Sequence, residues 1–173
     1  MQVLVATDGK LDPDVIADFA GPLAGEEGGV DVLTVVEIPR KLLSDLRTMV
    51  WGQQTPIEVH SDAEYIDVDS PGGDTPRSWP GDDAIIARYL EDKRAEYTRP
   101  VVTALGGRNV SAVGHVVESE NAAESILEQA GELDVDVIVI GSHGLGAFEG
   151  LLGSVGTKIV RRSKLPVLLI RVG

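Results

Sequence analysis

The stretch VDVIVIGSHGLGAFEGLLGS, residues 135–154, joins the most apolar run of the chain to a loop with five glycines and two serines. The run VDVIVI is typical of a strand that is buried on both faces. The glycines can indicate a phosphate-holding loop, and they can equally indicate a flexible turn between a strand and a helix. The rest of the sequence has to decide between these two interpretations.

Short apolar runs recur on both sides of this stretch, and segments with apolar residues at helical spacing separate them. Together they predict an α/β fold, an open doubly wound five-stranded parallel sheet with helices on both faces. The predicted strands cover residues 2–7, 30–38, 109–117, 135–141 and 166–172. The predicted helices cover residues 13–25, 82–105, 120–133 and 154–163.

The first predicted helix begins at Pro13, a residue favoured at a helix start, and Gly25 marks its end. Its apolar side chains recur at helical spacing. These side chains are Val15, Ile16, Phe19 and Leu23.

The length of 173 residues suits a single domain spanning 1–173, with an irregular insertion at about 39–81 that is rich in Pro, Gly, Asp and Ser. Loops of this length are functional lids, interaction segments or disordered stretches. The sequence does not distinguish these. Trp51 and Trp79 lie within the insertion, and we favour a role in pinning it to the domain over a role in a lid.

The charge balance excludes several classes of partner. The chain has 28 acidic and 15 basic residues, a net charge of -13, and no cysteine. Such a surface repels nucleic acid and anionic lipid, so we expect neither nucleic acid nor membrane as a main partner. The acidity fits a halophilic source, whereas the preference for Arg over Lys fits a GC-rich genome equally well. No export signal or membrane-spanning run is evident, and we expect a cytoplasmic protein.

Ligands of open α/β sheets bind at the carboxyl ends of the strands, where the winding direction switches. The end of the fourth predicted strand is the richest in glycine and hydroxyl groups, and its loop leads to Gly153 and Ser154 at a helix start. A helix N-terminus favours phosphate, and Ser154 could cap the helix or donate to a phosphate oxygen. The G-x4-G-K-[S/T] loop is absent, and the first strand runs into T-D-G-K rather than G-x-G-x-x-G.

Four separated blocks resemble the universal stress protein family of adenine-nucleotide-binding domains. The family motif G-x2-G-x9-G-[S/T] matches Gly141, Gly144, Gly153 and Ser154 in that order. VLVATDG resembles its first strand, VLTVVE its second, VDVIVIGSHG its fourth and SKLPVLLIRV its last. The resemblance implies an adenine nucleotide alpha hydrolase-like fold and covers the chain outside the insertion.

By position, the resemblance also implies a nucleotide site, with Asp8 near the ribose and adenine and the Val35 backbone at the adenine edge. The glycine loop would border the ribose and phosphates. The implied site residues are Ala6, Asp8, Val35, Ile140, Gly141, Gly144, Gly153, Ser154 and Val155. The implied ligand is ATP or a related adenine nucleotide, which Mg²⁺ could accompany, and the implied assembly is a homodimer through the C-terminal strand.

This sequence departs from the family pattern in its glycine loop, where eight residues instead of nine separate Gly144 from Gly153 and Glu149 adds a carboxylate. Gly156 and the pair Gly9-Lys10 also replace residues that are common in the family. We expect a regulatory or stress-response protein with little or no nucleotide turnover. The alternatives are a dimeric interaction module without nucleotide, and a nucleotide-dependent enzyme whose catalytic residues the sequence does not reveal.

The histidines carry no catalytic signature in the sequence. His143 lies in the polar glycine loop, where a lone histidine is usually solvated. His60 and His115 have no sequence partner that indicates a metal site or a triad. We therefore predict no catalytic residue and no metal site.

Overall fold

The computed structural model describes residues 1–38, 82–142 and 153–171, without the side chains of 82–85 and 171. The chain divides into two compact units, Met1–Glu37 with Arg88–Gly173, and Ile38–Ala87. The sheet and its site belong to the first unit. The predicted insertion at about 39–81, with Trp51 and Trp79, lies outside the described residues. Its role and the single-domain organisation stay predictions.

Strands and helices alternate along the described residues, and none of these helices is long and apolar enough to cross a membrane. The predicted elements recur with their ends shifted slightly. Their order is β1 (Gln2–Ala6), α1 (Pro13–Ala24), β2 (Gly29–Val36), α2 (Asp82–Gly106), β3 (Ser111–Glu118), α3 (Ala122–Glu132), β4 (Val137–Ser142), α4 (Ser154–Arg162) and β5 (Val167–Arg171).

The strands form one parallel sheet in the order β3-β2-β1-β4-β5. Val3 of β1 is in register with Val30 of β2 on one side and with Val137 of β4 on the other. The chain winds outward from β1 through β2 to β3, and then crosses back to β4 and β5. The switch point therefore lies between β1 and β4, which confirms the predicted doubly wound fold.

Each face of the sheet contributes to a separate apolar core, because successive side chains of a strand point to opposite faces. Val5, Val32 and Val139 pack in one cluster with buried residues of α1 and α2. Leu4, Leu33 and Ile138 pack in the other with buried residues of α3 and α4. Burial on both faces explains why these strands are continuous apolar runs in the sequence.

Helix α1 begins at Pro13 as predicted, and small residues make up most of its buried face. The Asp12 carboxylate accepts hydrogen bonds from the backbone N–H groups of Asp14 (2.9 Å) and Val15 (3.4 Å). Phe19 is 53% exposed and Val15 36% exposed, so helical spacing alone does not identify the buried face of α1. Small side chains allow a helix to lie close to a sheet. The face of α1 that carries its small residues is the buried one. Its buried residues are Ile16, Ala17, Ala20, Gly21 and Ala24.

Candidate functional site

A cavity of about 290 Å³ opens at the carboxyl ends of β1, β2 and β4, on the side of the sheet that α3 and α4 cover. One wall is the turn that follows β1, and the opposite wall is the first turn of α4. The cavity thus lies at the switch point of the sheet, the position at which open α/β sheets bind their ligands.

The floor of the cavity is apolar. Leu33, Ile126, Ile140 and Ile159 line it, and each is at most 5% exposed. These side chains belong to β2, α3, β4 and α4, so the floor is also the end of the core on this face. An apolar floor with polar groups at its edges suits a flat ring that carries a polar or charged substituent.

The turn after β1 carries the two charged side chains among the described residues that line the cavity, Asp8 and Lys10. Asp8 Oδ1 accepts a hydrogen bond from the Lys10 backbone N–H (3.2 Å), and Asp8 Oδ2 lies 3.1 Å from Lys10 Nζ. The Gly9 N–H donates to Thr7 Oγ1 (3.0 Å). Local hydrogen bonds therefore hold this turn, which presents a carboxylate and an ammonium group to the cavity.

Gly9 has a φ of 81°, a conformation that residues with a side chain rarely adopt. A Cβ atom at Gly9 would lie 2.5 Å from Cδ1 of Tyr97 on α2. Lys93 Nζ donates to the hydroxyl of Tyr97 (3.2 Å), and its hydrogen bonds to Glu96 and then Tyr97 raise the Lys93 pKa. The ring of Tyr97 thus packs against the turn that positions the Asp8 carboxylate.

The first turn of α4 forms the opposite wall of the cavity. Its N-cap is Gly153, with no side-chain cap hydrogen bond, and Ser154 is the first helical residue. The expectation that Ser154 could cap this helix was wrong. Apart from Gly153 and its chain neighbours, no atom of the described residues lies within 4 Å of the position that a Cβ at Gly153 would take. The N-terminal N–H groups of a helix and its dipole favour an anion at this wall.

The structure brings most of the predicted site residues together. Gly144 lies outside the described residues, as do His143 and Glu149. Glycine at position 141 also meets a packing requirement, because a Cβ atom there would lie 2.6 Å from Cδ2 of the buried Leu11. The eight predicted residues that line the cavity are Ala6, Asp8, Val35, Ile140, Gly141, Gly153, Ser154 and Val155.

Other cavity residues were not predicted from the sequence, above all Lys10 and the floor residues Leu33, Ile126 and Ile159. The isoleucines belong to ordinary apolar stripes of helices and carry no local signal of a site. For Lys10 a signal existed, because the resemblance had marked the pair Gly9-Lys10 as a departure from the family pattern.

A second polar cluster lies on the same face of the sheet, toward the amino end of β2. It consists of Gln2, Asp31 and His115, and we call it the amino-end cluster. Asp31 Oδ1 lies 2.7 Å from His115 Nε2, and Asp31 Oδ2 accepts a hydrogen bond from Gln2 Nε2 (2.6 Å). In the parallel register His115 is opposite Leu33, two residues beyond Asp31, so the contact is diagonal. The sequence had indicated no partner for His115.

The fold and the cavity define an open parallel α/β domain with a ligand-sized opening at its switch point. The sequence profile of the universal stress protein family matches residues 1–171. The chain therefore belongs to the universal stress protein family.

Individual relatives agree with this assignment. Universal stress protein A homolog 2 of Coxiella burnetii is 38% identical over 84 residues, which are 48% of this chain and 58% of that relative's own length. A universal stress protein family protein of Arabidopsis thaliana, solved with AMP bound, has a TM-score of 0.56 at 14% identity, covering 100% of this chain and 92% of its own.

A universal stress protein solved in complex with cAMP has a TM-score of 0.52 at 21% identity, covering 100% of this chain and 98% of its own. At these identities the two solved structures show a shared fold. Their bound nucleotides are properties of those proteins.

Proposed function

We propose that this protein binds ATP or a related adenine nucleotide in the cavity between Asp8 and the start of α4, and acts as a regulatory or stress-response protein with little or no turnover. The observation that carries the proposal is that eight of the residues implied by the family resemblance line one cavity at the switch point. The proposed setting is the cytoplasm.

The chemistry of the walls matches the parts of an adenine nucleotide. The apolar floor of Leu33, Ile126 and Ile140 suits the adenine ring. The Asp8 carboxylate can accept hydrogen bonds from ribose hydroxyls. The first turn of α4 offers N–H groups and a positive dipole end to the phosphates. Mg²⁺ would accompany the phosphates of ATP, so titrations with and without the ion belong to the test.

The expectation of little turnover rests on the side chains that line the cavity. Among those that the structure describes, Asp8 is the one carboxylate, and no histidine or arginine is present. Rapid phosphoryl transfer uses a group that orients or activates the attacking water, and cationic groups that stabilise charge in the transition state. The described walls provide more for binding than for hydrolysis.

The proposal is tested by purifying the protein without added nucleotide, denaturing it and identifying any released nucleotide by mass spectrometry. Calorimetric titration with ATP then compares the wild type with Gly153→Val. A Cβ at Gly153 meets no described atom within 4 Å, so the variant should fold and place its side chain at the phosphate wall. We expect the wild type to bind ATP and Gly153→Val to lose at least about tenfold in affinity.

Gly131→Val is the matched control, because a Cβ at Gly131 also meets no atom of the described residues and Gly131 does not line the cavity. It should bind ATP as the wild type does. No co-purified nucleotide and no binding by the wild type would favour the dimeric interaction module instead. Sustained phosphate release from ATP would favour an enzyme.

We also propose a homodimer through β5, which lies at one edge of the described sheet and carries Leu169, 41% exposed. An apolar edge strand is prone to pair with another strand. Light scattering at micromolar concentration should give a dimer, and Leu169→Asp should weaken it. Val113→Asp, on the opposite edge strand β3 and 55% exposed, is the control and should leave the dimer intact. A monomeric wild type would refute the dimer.

A further inference from the structure

The proposed ligand is an anion, and the chain that would bind it has a net charge of -13. Attraction of phosphate to such a protein requires local positive charge. Lys10 is the one cationic side chain among the described residues that line the cavity. The dipole of α4 contributes only a partial charge, from the opposite wall.

The position of Lys10 is defined, but its side chain is weakly held. Its backbone N–H donates to Asp8 Oδ1, which fixes the residue to the turn. Its Nζ atom lies 3.1 Å from Asp8 Oδ2, with side-chain exposures of 71% for Lys10 and 46% for Asp8. Ion pairs this exposed contribute little to stability, so the ammonium group can exchange partners at small cost.

The turn beneath Lys10 is held by more contacts than its side chain. Gly9 adopts positive φ against the ring of Tyr97, and the Tyr97 hydroxyl accepts a hydrogen bond from Lys93. A turn fixed by local contacts, with one long and exposed cationic side chain, suits the capture of an anion whose position varies with its number of phosphates.

We propose that Lys10 is a specificity-determining residue that makes the site prefer phosphorylated nucleotides over nucleosides. In the protein without ligand, the Lys10 ammonium pairs with the Asp8 carboxylate. When a nucleotide binds, the ammonium moves to a phosphate oxygen, and the Asp8 carboxylate accepts from the ligand's hydroxyl groups. This inference rests on the proposed function, because it assigns a role within the same cavity.

The test is a titration of adenosine, AMP and ATP into the wild type and into Lys10→Met and Lys10→Arg, at low ionic strength. Lys10→Met should weaken AMP and ATP about tenfold while leaving adenosine within about threefold. Lys10→Arg keeps the positive charge and should restore both nucleotides to within about threefold of the wild type. In the wild type, affinity for ATP should fall as salt rises, and less steeply in Lys10→Met.

Lys164→Met is the matched control, because Lys164 is exposed, follows α4 and does not line the cavity, yet the variant loses the same charge. It should bind all three ligands as the wild type does. The inference is overturned if Lys10→Met changes all three ligands equally or none of them, or if Lys164→Met causes an equal loss. If the wild type binds none of the three ligands, the proposed function itself fails.

Discussion

Two carboxylates, each paired with a basic side chain, lie on the same face of the sheet and differ in what surrounds them. Asp31 of the amino-end cluster has a side chain 10% exposed and contacts His115, 29% exposed. Asp8 and Lys10, at the carboxyl end of β1, are 46% and 71% exposed and line a cavity of about 290 Å³. One pair is enclosed by the sheet, and the other borders open space.

The difference separates a structural polar group from a candidate binding group. Each Asp31 oxygen has a partner within the protein, Gln2 for one and His115 for the other, so the fold itself satisfies this carboxylate. Asp8 is also paired, but Lys10 is exposed and both residues line the cavity. Stability should therefore depend on Asp31 and ligand affinity on Asp8.

The largest expected effect belongs to Asp31→Ala, which removes the acceptor of Gln2 Nε2 and the partner of His115 Nε2. A buried donor that loses its acceptor costs about 1–3 kcal/mol of stability. We expect Asp31→Ala to lower the free energy of unfolding by about 2 kcal/mol. The measurement is the free energy of unfolding in urea. The control is Asp18→Ala, which removes an exposed ion pair with Arg108 and should cost less than Asp31→Ala.

A stability loss in Asp31→Ala no larger than that in Asp18→Ala would contradict the structural role. So would a fall in nucleotide affinity with stability unchanged, because Asp31 does not line the cavity.

The second effect belongs to Asp8→Asn, which keeps an acceptor for the Lys10 N–H but removes the negative charge. A hydrogen bond from a ligand hydroxyl to a carboxylate is stronger than one to an amide. We expect a loss of about tenfold in affinity for adenosine, measured by calorimetry, with the free energy of unfolding changed by less than about 0.5 kcal/mol. Unchanged adenosine affinity would remove Asp8 from the proposed ribose site.

A smaller effect is the salt dependence of the coupling energy within each pair, Asp8 with Lys10 and Asp31 with His115. Double-mutant cycles with Asp8→Ala and Lys10→Met should give a coupling of about 0.5 kcal/mol or less in urea unfolding, and about 1 M KCl should abolish it. The cycle with Asp31→Ala and His115→Ala should give about 1 kcal/mol and keep most of it in salt. Equal salt sensitivity of the two couplings would contradict the contrast in burial.

The smallest effect concerns the exposed ion pair of Glu91 and Arg94, neither of which lines the cavity. The hydrogen bond from Arg94 lowers the pKa of Glu91 from its usual 4.5, so ionised Glu91 stabilises the folded state above that value. As pH falls through the lowered pKa, the contribution is lost. The difference in urea midpoint between the wild type and Glu91→Gln should therefore shrink from pH 6 to about pH 3. A difference in urea midpoint that grows as the pH falls would contradict a stabilising role of ionised Glu91.

Periodicity and motif order predicted much of this molecule, because strand and helix patterns are local. The predicted segments recur as strands and helices, and the end of the fourth strand, with Gly141, lies at the cavity as expected. The resemblance also singled out Asp8 and Ser154, and both line the cavity, while their role in binding stays a prediction.

Other features depend on how the elements pack against each other. Phe19 has the spacing of a core residue, yet small residues of α1 take the buried face because they allow close approach to the sheet. Tyr97 is far from Gly9 in sequence, and only the packing of α2 brings its ring against the turn after β1.

The sequence alone determined the order of strands and helices, the acidic surface and the glycine-rich end of β4. Each of these depends on composition or on residues close together in sequence. The pairing of His115 with Asp31 follows from strand register, and the placement of Lys10 at the cavity follows from the turn that Gly9 and Tyr97 shape. These depend on contacts between residues distant in sequence. Only the folded sheet decides which carboxylate is enclosed and which one borders a cavity.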